Sequence, residues 1–425
     1  MTADRLLKTR TITAGKPGDL LAALHGPGPL AWVRGGDGLI GWGEAATIAV
    51  PVSPDRFTVA GQALRALFDT AEPEGPAGQP GCGLVAFGSF TFDAARGGSV
   101  LVVPATVVGR RGGASWVTTI TASGQDSSPG ARLPPAPSMA GPAYGAGSLT
   151  GAQWQRAVAA AVARIRGGGL RKVVLARDLQ VTSPVPIDVL TVVRRLADRD
   201  PDCYVFACAG LVGATPELLI RREGRTVRSR VIAGTAPRGS GPAEDAEIAV
   251  ALAASAKEAE EHGYAVASVS QALAPLCTEL AVAARPSVIR LADTHHLATT
   301  ITGTLAEKAS ALQLAGLLHP TAAVCGTPAG AAMDVIRELE CMDRGRYAGP
   351  VGWMDANGDG EWGLALHCGE VGGSDARLFA GCGIVAGSEP AAELAEARAK
   401  FRPMLQALGL PPDQDAGWHL RALPG

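Results

Sequence analysis

The sequence predicts an α/β protein, and three observations support this class. Apolar runs rich in β-branched residues recur along the chain, which is the pattern of buried strands. Alanine-rich stretches whose apolar residues have helical spacing also occur. The chain has 425 residues, of which 47% are hydrophobic, so it can bury a large core, and its length alone suggests two or three domains.

Composition and charge argue against several classes of function. The formal net charge is −2 with no basic block, so nothing indicates binding to nucleic acid or to an anionic membrane. No apolar run approaches the roughly 18 residues that a membrane span needs, and no apolar signal segment follows the N-terminus. The eight cysteines form no CxxC pair and no zinc-site spacing, which favours buried, reduced thiols. We therefore expect a cytoplasmic protein whose partner is a small molecule.

The first third of the chain is predicted to be rich in strands. Its elements are a hairpin at 30–44, a helix at 56–68, and strands at 81–92 and 100–108. The polar, proline-rich stretch 123–150 indicates a loop or linker and suggests a domain boundary near residue 145.

A single lysine, Lys172, lies at the start of an apolar, β-branched strand. The strand follows a predicted helix, 153–165, which Thr150 can cap and which ends before three consecutive glycines. Only six of the 38 basic residues are lysines, so a lysine kept at this position is informative. A partly desolvated lysine can lose its proton near neutral pH and act as a base, which arginine cannot do. The alternative is a strand-end lysine whose ammonium group reaches water.

Glu217 is the next candidate along the chain. A helix is predicted at 187–198, and strands are predicted at 203–211 and 218–221. The turn at 213–217 between these strands ends in Glu217. The alternative to a functional role is an exposed loop glutamate.

Two alanine-rich helices, predicted at 243–274 and 390–408, each carry a pair of glutamates three residues apart. The pairs are Glu258 with Glu261, and Glu393 with Glu396. The spacing places both members of each pair on one helix face. If the two faces meet, they suit a hard cation such as Mg²⁺, which takes oxygen ligands from protein, water and anionic substrate. The alternative is two ordinary solvated helix faces.

Together, these segments resemble the chorismate-utilising enzymes, and within them the isochorismate synthase branch. The matching motifs are Lys172–Arg177, GATPELL at 213–219, IAGT at 232–235, SAKEAEEH at 255–262, HLAT at 296–299, HPTAAVCGTP at 319–328, RGRYAGPVGW at 344–353, GDGEW at 358–362 and the stretch 381–400. The resemblance covers nearly the whole chain. It implies one large domain over 1–425, with a more variable part at 1–145 and the motif-bearing part at 150–410. It also implies two stacked antiparallel sheets wrapped by helices, so that the boundary near 145 becomes a surface loop.

The resemblance further implies a Mg²⁺-dependent reaction on chorismate, with no glutamine amidotransferase subunit. Water adds at C2 of the ring, the double bonds shift, and the C4 hydroxyl leaves to give isochorismate. By motif position Lys172 is the base and Glu217 the acid, while His296 matches the pocket histidine. These roles need the pKa of Lys172 to be lowered and the pKa of Glu217 to be raised. Burial produces both changes, because it disfavours the charged form of each side chain.

The same motifs imply the remaining site residues. Glu261 and Glu396 match the metal positions, with Glu258 and Glu393 as supporting carboxylates. The residues implied to bind substrate are Gly234 and Thr235 at the ring pocket, Tyr347 and Gly381 at the pyruvyl side, Lys400 at the ring carboxylate, Ala323 and His367.

Three positions distinguish branches of the family. Branches that add ammonia carry glutamine where this chain has Lys172, and the aminodeoxychorismate branch carries lysine where it has Ala233. Salicylate-forming members carry threonine where it has Ala323. The resemblance therefore favours an isochorismate synthase. The alternatives are a salicylate synthase, which also eliminates pyruvate, and a catalytically inactive chorismate-binding or regulatory protein.

His367 departs from the family pattern, because it stands where members carry an arginine that holds the pyruvyl carboxylate. A histidine gives one hydrogen bond, and a charge only when it is protonated. With an unperturbed pKa of about 6.5, it should bind chorismate less tightly as the pH rises through that value. Arg346 and Arg377 are nearby in sequence and could supply the missing charge.

Overall fold

A computed structural model describes residues 6–411, except 16–17, 27, 76–77 and 123–141. This part of the chain forms 23 strands and eight α-helices. The strands are β1 (Leu7–Thr13), β2 (Leu30–Arg34), β3 (Asp37–Trp42), β4 (Ala46–Ala49), β5 (Glu72–Glu74), β6 (Val85–Ser89), β7 (Val100–Val103), β8 (Thr106–Arg111), β9 (Ala114–Ala122), β10 (Ala143–Ala146), β11 (Lys172–Thr182), β12 (Tyr204–Cys208), β13 (Leu211–Thr215), β14 (Leu218–Glu223), β15 (Thr226–Pro237), β16 (Cys277–Val282), β17 (Ser287–Arg290), β18 (Thr294–Leu305), β19 (Gly326–Thr327), β20 (Pro350–Asp355), β21 (Gly360–Leu364), β22 (Cys368–Gly372) and β23 (Asp375–Ile384). The helices are α1 (Arg56–Asp69), α2 (Gly151–Arg166), α3 (Val189–Arg199), α4 (Pro242–Ala254), α5 (Ala256–Leu273), α6 (Ala311–Leu318), α7 (Ala329–Leu339) and α8 (Pro390–Ala407).

The strands form two sheets. The larger has the order β10-β11-β23-β22-β13-β12-β2-β3-β8-β9-β1-β5, with β19 also paired to β11. The smaller has the order β16-β18-β15-β14-β21-β20-β6-β7-β4, with β17 also paired to β18. Among the described strands, the pairs run antiparallel except for β1 with β5. The predicted α/β class with two antiparallel sheets is therefore confirmed, whereas the single domain over 1–425 stays a prediction.

Strand β2 shows how the larger sheet lies between two cores. Leu30 and Trp32 belong to the main core, which also contains residues of the smaller sheet such as Trp362. Ala31 and Val33, on the other face of β2, belong to a second core that includes residues of α3 and α8. Trp32 also donates from Nε1 to Glu361 Oε2 on β21, 2.9 Å away, which ties the two sheets together.

The helix predicted at 153–165 forms as α2, and its predicted cap is present. Thr150 accepts a hydrogen bond from Gln153 N, and the Gln153 side chain accepts one in return from Thr150 N. The prediction of one helix at 243–274 is wrong, because α4 ends at Ala254 and α5 begins at Ala256. Ser255 between them is extended and accepts a hydrogen bond from Glu258 N at 3.3 Å, which caps α5. The alanine-rich composition gave no sign of this break.

Two further predictions are wrong in position. The turn predicted at 213–217 lies instead at Ala209 and Gly210, whose φ angles are +48° and +83°, so that β13 includes Gly213. An uninterrupted apolar run concealed this tight turn. The linker predicted around residue 145 is partly strand, because Ala143–Ala146 forms β10 and pairs with β11. The stretch 123–141 of that linker lies outside the described residues.

The described helices include none that is long and apolar enough to cross a membrane. Of the eight cysteines, all free, five are buried, whereas Cys341 is exposed, so the prediction of buried thiols is wrong for that residue.

A buried ion pair connects the end of α7 to β11. Arg344 donates from Nε to Glu340 Oε2 at 2.9 Å and from Nη2 to Oε1 at 2.5 Å, and both residues are almost fully buried. The guanidinium also donates to the carbonyls of Val324 and Val174, each at 2.8 Å. Glu340 in turn accepts from Ala176 N at 2.7 Å. Charged hydrogen bonds thus fix β11 beside the segment that contains Val324.

We expect Glu340→Ala to lower the free energy of unfolding by about 3–5 kcal/mol, because it leaves the Arg344 charge buried and unpaired. The matched control is Glu338→Ala, since Glu338 pairs with Arg164 at the surface, where its side chain is 59% exposed. That control should change stability little. Urea unfolding of both variants measures the difference, and equal effects would contradict the structural role of the buried pair.

Candidate active site

Lys172 is fully buried at the start of β11, so the alternative of a lysine that reaches water is wrong. Its Nζ lies 3.2 Å from Glu261 Oε1 on α5, within ion-pair distance but without hydrogen-bond geometry to any described residue. Gly383 on β23 makes room for this pair. A Cβ at Gly383 would lie 1.9 Å from Glu261 Oε1 and 3.0 Å from Lys172 Cε. A larger residue at this position would therefore displace the pair.

One cavity brings together ten of the predicted site residues. They are Glu217, Gly234, Thr235, Glu261, His296, Ala323, Tyr347, His367, Gly381 and Lys400. Lys172, Glu258, Glu393 and Glu396 do not line this cavity, although Lys172 contacts Glu261, which does. The sequence motifs thus converge on one place, and the roles of the individual residues stay predictions.

Glu217 lies between β13 and β14 with its side chain buried in the cavity wall. Burial raises its pKa to about 8, although the charges of Lys172 and Lys400 and a hydrogen bond from the Ile232 backbone act in the opposite direction. Glu217 therefore holds its proton near neutral pH. The alternative of an exposed loop glutamate is wrong.

Two lysines bind the carboxylates of α5 and α8. Lys400 donates from Nζ to Glu396 Oε1 at 2.6 Å and to the Gly381 carbonyl at 3.0 Å. Lys257 lies 2.9 Å from Glu393 Oε1 and 3.2 Å from Glu258 Oε1, and so connects the two helices. Burial alone would lower the pKa of each lysine. The combined negative charge of the surrounding carboxylates has the larger effect, so both pKa values lie above the ordinary value for lysine.

The four glutamates of α5 and α8 form a carboxylate group, and these two lysines do not neutralise it fully. Burial and the neighbouring Glu396 raise the pKa of Glu393 to about 7, and burial and Glu261 raise the pKa of Glu258. Glu393 Oε2 is buried without a hydrogen-bond partner among the described residues. An oxygen-rich group with an unused carboxylate oxygen fits a hard divalent cation such as Mg²⁺. Glu258, Glu261 and Glu393 are buried and Glu396 is half-buried, which argues against ordinary solvated helix faces.

Two histidines face each other in the cavity, with ring centroids 6.4 Å apart. His296 is hydrogen-bonded at Nδ1 to Thr235 Oγ1, at 3.1 Å, and at Nε2 to Thr294 Oγ1, at 2.8 Å. Burial and the charge of Lys400 lower the pKa of both rings, that of His296 to well below its ordinary value and that of His367 to about 4. Both rings are therefore neutral at pH 7.

The pKa of His367, about 4, lies below the 6.5 of an unperturbed histidine, so the predicted pH dependence of binding has its midpoint below that value unless substrate moves it. The suggested replacements for its charge also lie elsewhere. Arg346 lies 3.1 Å from Glu370 and Arg377 lies 2.8 Å from Asp178, and neither lines the cavity. Among the lining residues the cationic side chain is that of Lys400.

Sequence reasoning missed three residues of this site: Lys257, Cys382 and Gly383. The argument from rare lysines could have found Lys257, because three of the six lysines, Lys172, Lys257 and Lys400, lie here. No local signal marks Cys382 or Gly383, since their importance comes from contacts with α5 and α8.

The fold and the cavity, which is lined by the buried Glu217 and by Glu261 and lies beside the buried Lys172, are those of an enzyme. A model of the chorismate binding enzyme family matches residues 33–409, and the chain belongs to that family.

Individual relatives agree with the family assignment. The chain is 43% identical over 269 residues to isochorismate synthase DhbC of Bacillus subtilis, a match that covers 60% of this chain and 68% of that protein. It is 38% identical over 262 residues to isochorismate synthase EntC of Escherichia coli, covering 60% and 67%. The crystal structure of DhbC from Bacillus anthracis matches with a TM-score of 0.76 at 34% identity, over 92% of this chain and 99% of that one. MenF from Escherichia coli, at 23% identity and a TM-score of 0.76, shares the fold.

The raised pKa of Glu217 links protein stability to pH. The folded protein keeps this proton up to about pH 8, whereas the unfolded chain loses it near the ordinary pKa of glutamate. Between these values the folded state binds one more proton, so the contribution of Glu217 to stability falls as the pH rises, by at most about 1.4 kcal/mol per pH unit.

Glu217→Gln cannot lose a proton, so its stability relative to wild type should increase from pH 5 to pH 8. Urea unfolding at three pH values in this range measures the change. Glu247→Gln, at an exposed position on α4, is the control, and its difference from wild type should stay constant. A pH-independent difference for Glu217→Gln would contradict the raised pKa.

Proposed function

We propose that this protein is an isochorismate synthase that converts chorismate to isochorismate in a Mg²⁺-dependent reaction. The main support is a protonated, buried glutamate, Glu217, in the cavity of a chorismate binding enzyme fold, together with a buried lysine, Lys172, that contacts the lining residue Glu261. The relatives named isochorismate synthase support the same activity.

Lys172 acts as the general base. In its neutral form, Nζ accepts a proton from the water that attacks C2 of the ring. Glu261, 3.2 Å away, keeps the amine in position and stabilises the ammonium that forms.

Glu217 acts as the general acid. With a pKa of about 8 it is protonated at neutral pH and gives its proton to the C4 hydroxyl as that group leaves as water. The base gains one proton and the acid loses one, so the two groups must be reset before the next turnover. His296, which is neutral and hydrogen-bonded to two threonine hydroxyls, orients the substrate rather than carrying charge.

Glu261 and Glu396 would bind the Mg²⁺ ion, with Glu258 and Glu393 as supporting carboxylates. When bound, the ion supplies positive charge that neutralises and orients the ring carboxylate of the substrate. Lys400 adds a second cation beside Gly381. The remaining lining residues shape the pocket: Gly234 and Thr235 on one side, Tyr347, Ala323 and His367 on the other.

The experiment that tests the function is incubation of the purified protein with chorismate and Mg²⁺, followed by chromatographic separation of the products. We expect isochorismate. Formation of salicylate with pyruvate would favour a salicylate synthase, and absence of any product would favour a binding protein.

In the same assay, Lys172→Ala should lower turnover by about 10²–10⁴-fold while chorismate binding largely persists, because the base acts on water. Glu217→Gln should be folded and inactive, since an amide cannot deliver the proton. Lys308→Ala is the control at an exposed lysine and should keep wild-type activity. Activity of Lys172→Ala within a few-fold of wild type would remove Lys172 from the mechanism.

Chelation of divalent cations should stop the reaction, and added Mg²⁺ should restore it. Glu261→Ala and Glu396→Ala should each raise the Mg²⁺ concentration needed for half-maximal activity, because each removes an oxygen ligand. Steady-state rates across a Mg²⁺ titration provide the measurement. A rate that does not depend on the metal would contradict the carboxylate site.

A further inference from the structure

Strand β15 has a bulge beside the cavity. The register between β15 and β18 shifts at Gly234, which is one extra residue before the pair formed by Thr235 and His296. Beyond the bulge, three residue pairs with β18 remain before β15 ends at Pro237. Because a bulge interrupts the ladder of backbone hydrogen bonds, this short end of β15 is held less firmly by pairing alone. Contacts from other elements therefore matter for its position.

A buried carboxylate on α4 binds this end of the sheet. Asp245, in the first turn of α4, accepts hydrogen bonds from Arg238 Nε at 2.6 Å and from Arg238 Nη2 at 3.0 Å. It also accepts from Gly239 N at 3.0 Å and from His295 Nε2 at 2.7 Å. Arg238 in turn donates from its backbone N to the Asp293 carbonyl, at 3.0 Å, just before β18. One carboxylate thus joins the residues that follow β15 to β18.

The ring of His295 depends on this carboxylate. His295 is fully buried, and its Nδ1 has no hydrogen-bond partner among the described residues. A buried donor that loses its acceptor is costly, so the bond from Nε2 to Asp245 fixes the ring. Successive residues of a strand point to opposite faces, and here His295 points to α4 while His296 lines the cavity. The contact with Asp245 therefore fixes the part of β18 from which His296 projects.

His296 receives both of its ring contacts from the same end of the sheet. Thr235, whose Oγ1 lies 3.1 Å from His296 Nδ1, comes directly after the bulge. Thr294, whose Oγ1 lies 2.8 Å from His296 Nε2, pairs with Pro237 at the last position of β15. A displacement of this end would therefore move both hydroxyl groups that orient the ring.

We propose that Asp245 is a positioning residue of the candidate active site, which holds the ends of β15 and β18 in place so that the ring of His296 keeps one orientation. Asp245 does not line the cavity, so it acts through these strands rather than on substrate. Its consequence for catalysis rests on the proposed function, in which His296 orients chorismate. The positioning itself can be observed without substrate.

The first test is the nuclear magnetic resonance spectrum of the histidine rings in the full-length protein labelled with ¹⁵N-histidine. The signals of His296 are those that His296→Gln removes. We expect a neutral ring in one tautomer, because burial lowers its pKa and both nitrogens have a hydroxyl partner. Asp245→Asn, which keeps the size of the side chain but removes its charge, should shift or broaden these signals. Unchanged signals in the folded variant would overturn the proposal.

Two further variants separate positioning from loss of folding. Arg238→Gln breaks the same ion pair from its partly exposed partner and should move the same signals. Glu361→Gln is the matched control, since Glu361 is a carboxylate outside the cavity with 6% exposure, against 9% for Asp245, and it accepts from Trp32 and Arg111. The control should lower stability but leave the His296 signals in place. An equal shift in the control would also overturn the proposal.

Rates of isochorismate formation give a second readout. Asp245→Asn should lower kcat/KM by up to about a hundredfold, because a misplacement of about 1 Å in an orienting group can have that effect. In a His296→Gln background the same change should have little further effect, since it acts through that ring. Equal losses in both backgrounds would contradict positioning through His296. If the wild type forms no isochorismate, the proposed function fails, and the ring signals alone decide the positioning.

Discussion

The burial of the Lys172 ammonium is the constraint on which the rest of the site depends. A lone ammonium taken out of water costs several kcal/mol, and here Glu261 supplies the compensating charge 3.2 Å away. Three local features permit this pair. Strand β11 begins at Lys172, the cap at Ser255 sets the start of α5, and Gly383 leaves the space that both side chains occupy.

The sequence predicted those parts of the fold whose signals are local. Helix α2 has a capping box and ends at three glycines, so it was predicted nearly to the residue, and the start of β11 at Lys172 was predicted from its apolar run, although the strand continues to Thr182. The break at Ser255 and the turn at Ala209 were missed, because alanine-rich sequence in one case and apolar sequence in the other stands on both sides. The local signals for these two features are short: Ser255 stands three residues before Glu258, the spacing of a helix N-cap, and Gly210 is the residue type that a tight turn favours.

The sequence predicted which residues form the candidate site better than it predicted their charge states. Motif order implied many of the residues that line the cavity, because all but one of the quoted motifs contribute at least one residue to it. The protonation state of a side chain depends on the groups that other helices and strands place around it. His367 is neutral because it is buried beside Lys400, which comes from a helix more than thirty residues further along the chain. Lys257 and Cys382 likewise acquire their surroundings only when α5, α8 and β23 meet.

Glu217 and Lys172, the proposed acid and base, interact electrostatically. The Lys172 charge lowers the pKa of Glu217, yet burial outweighs it and leaves the pKa at about 8. A neutral amine beside a protonated carboxyl group is the combination that proton transfer from water and to a leaving hydroxyl requires. Burial thus favours the protonated form of Glu217, which its proposed role as the acid requires.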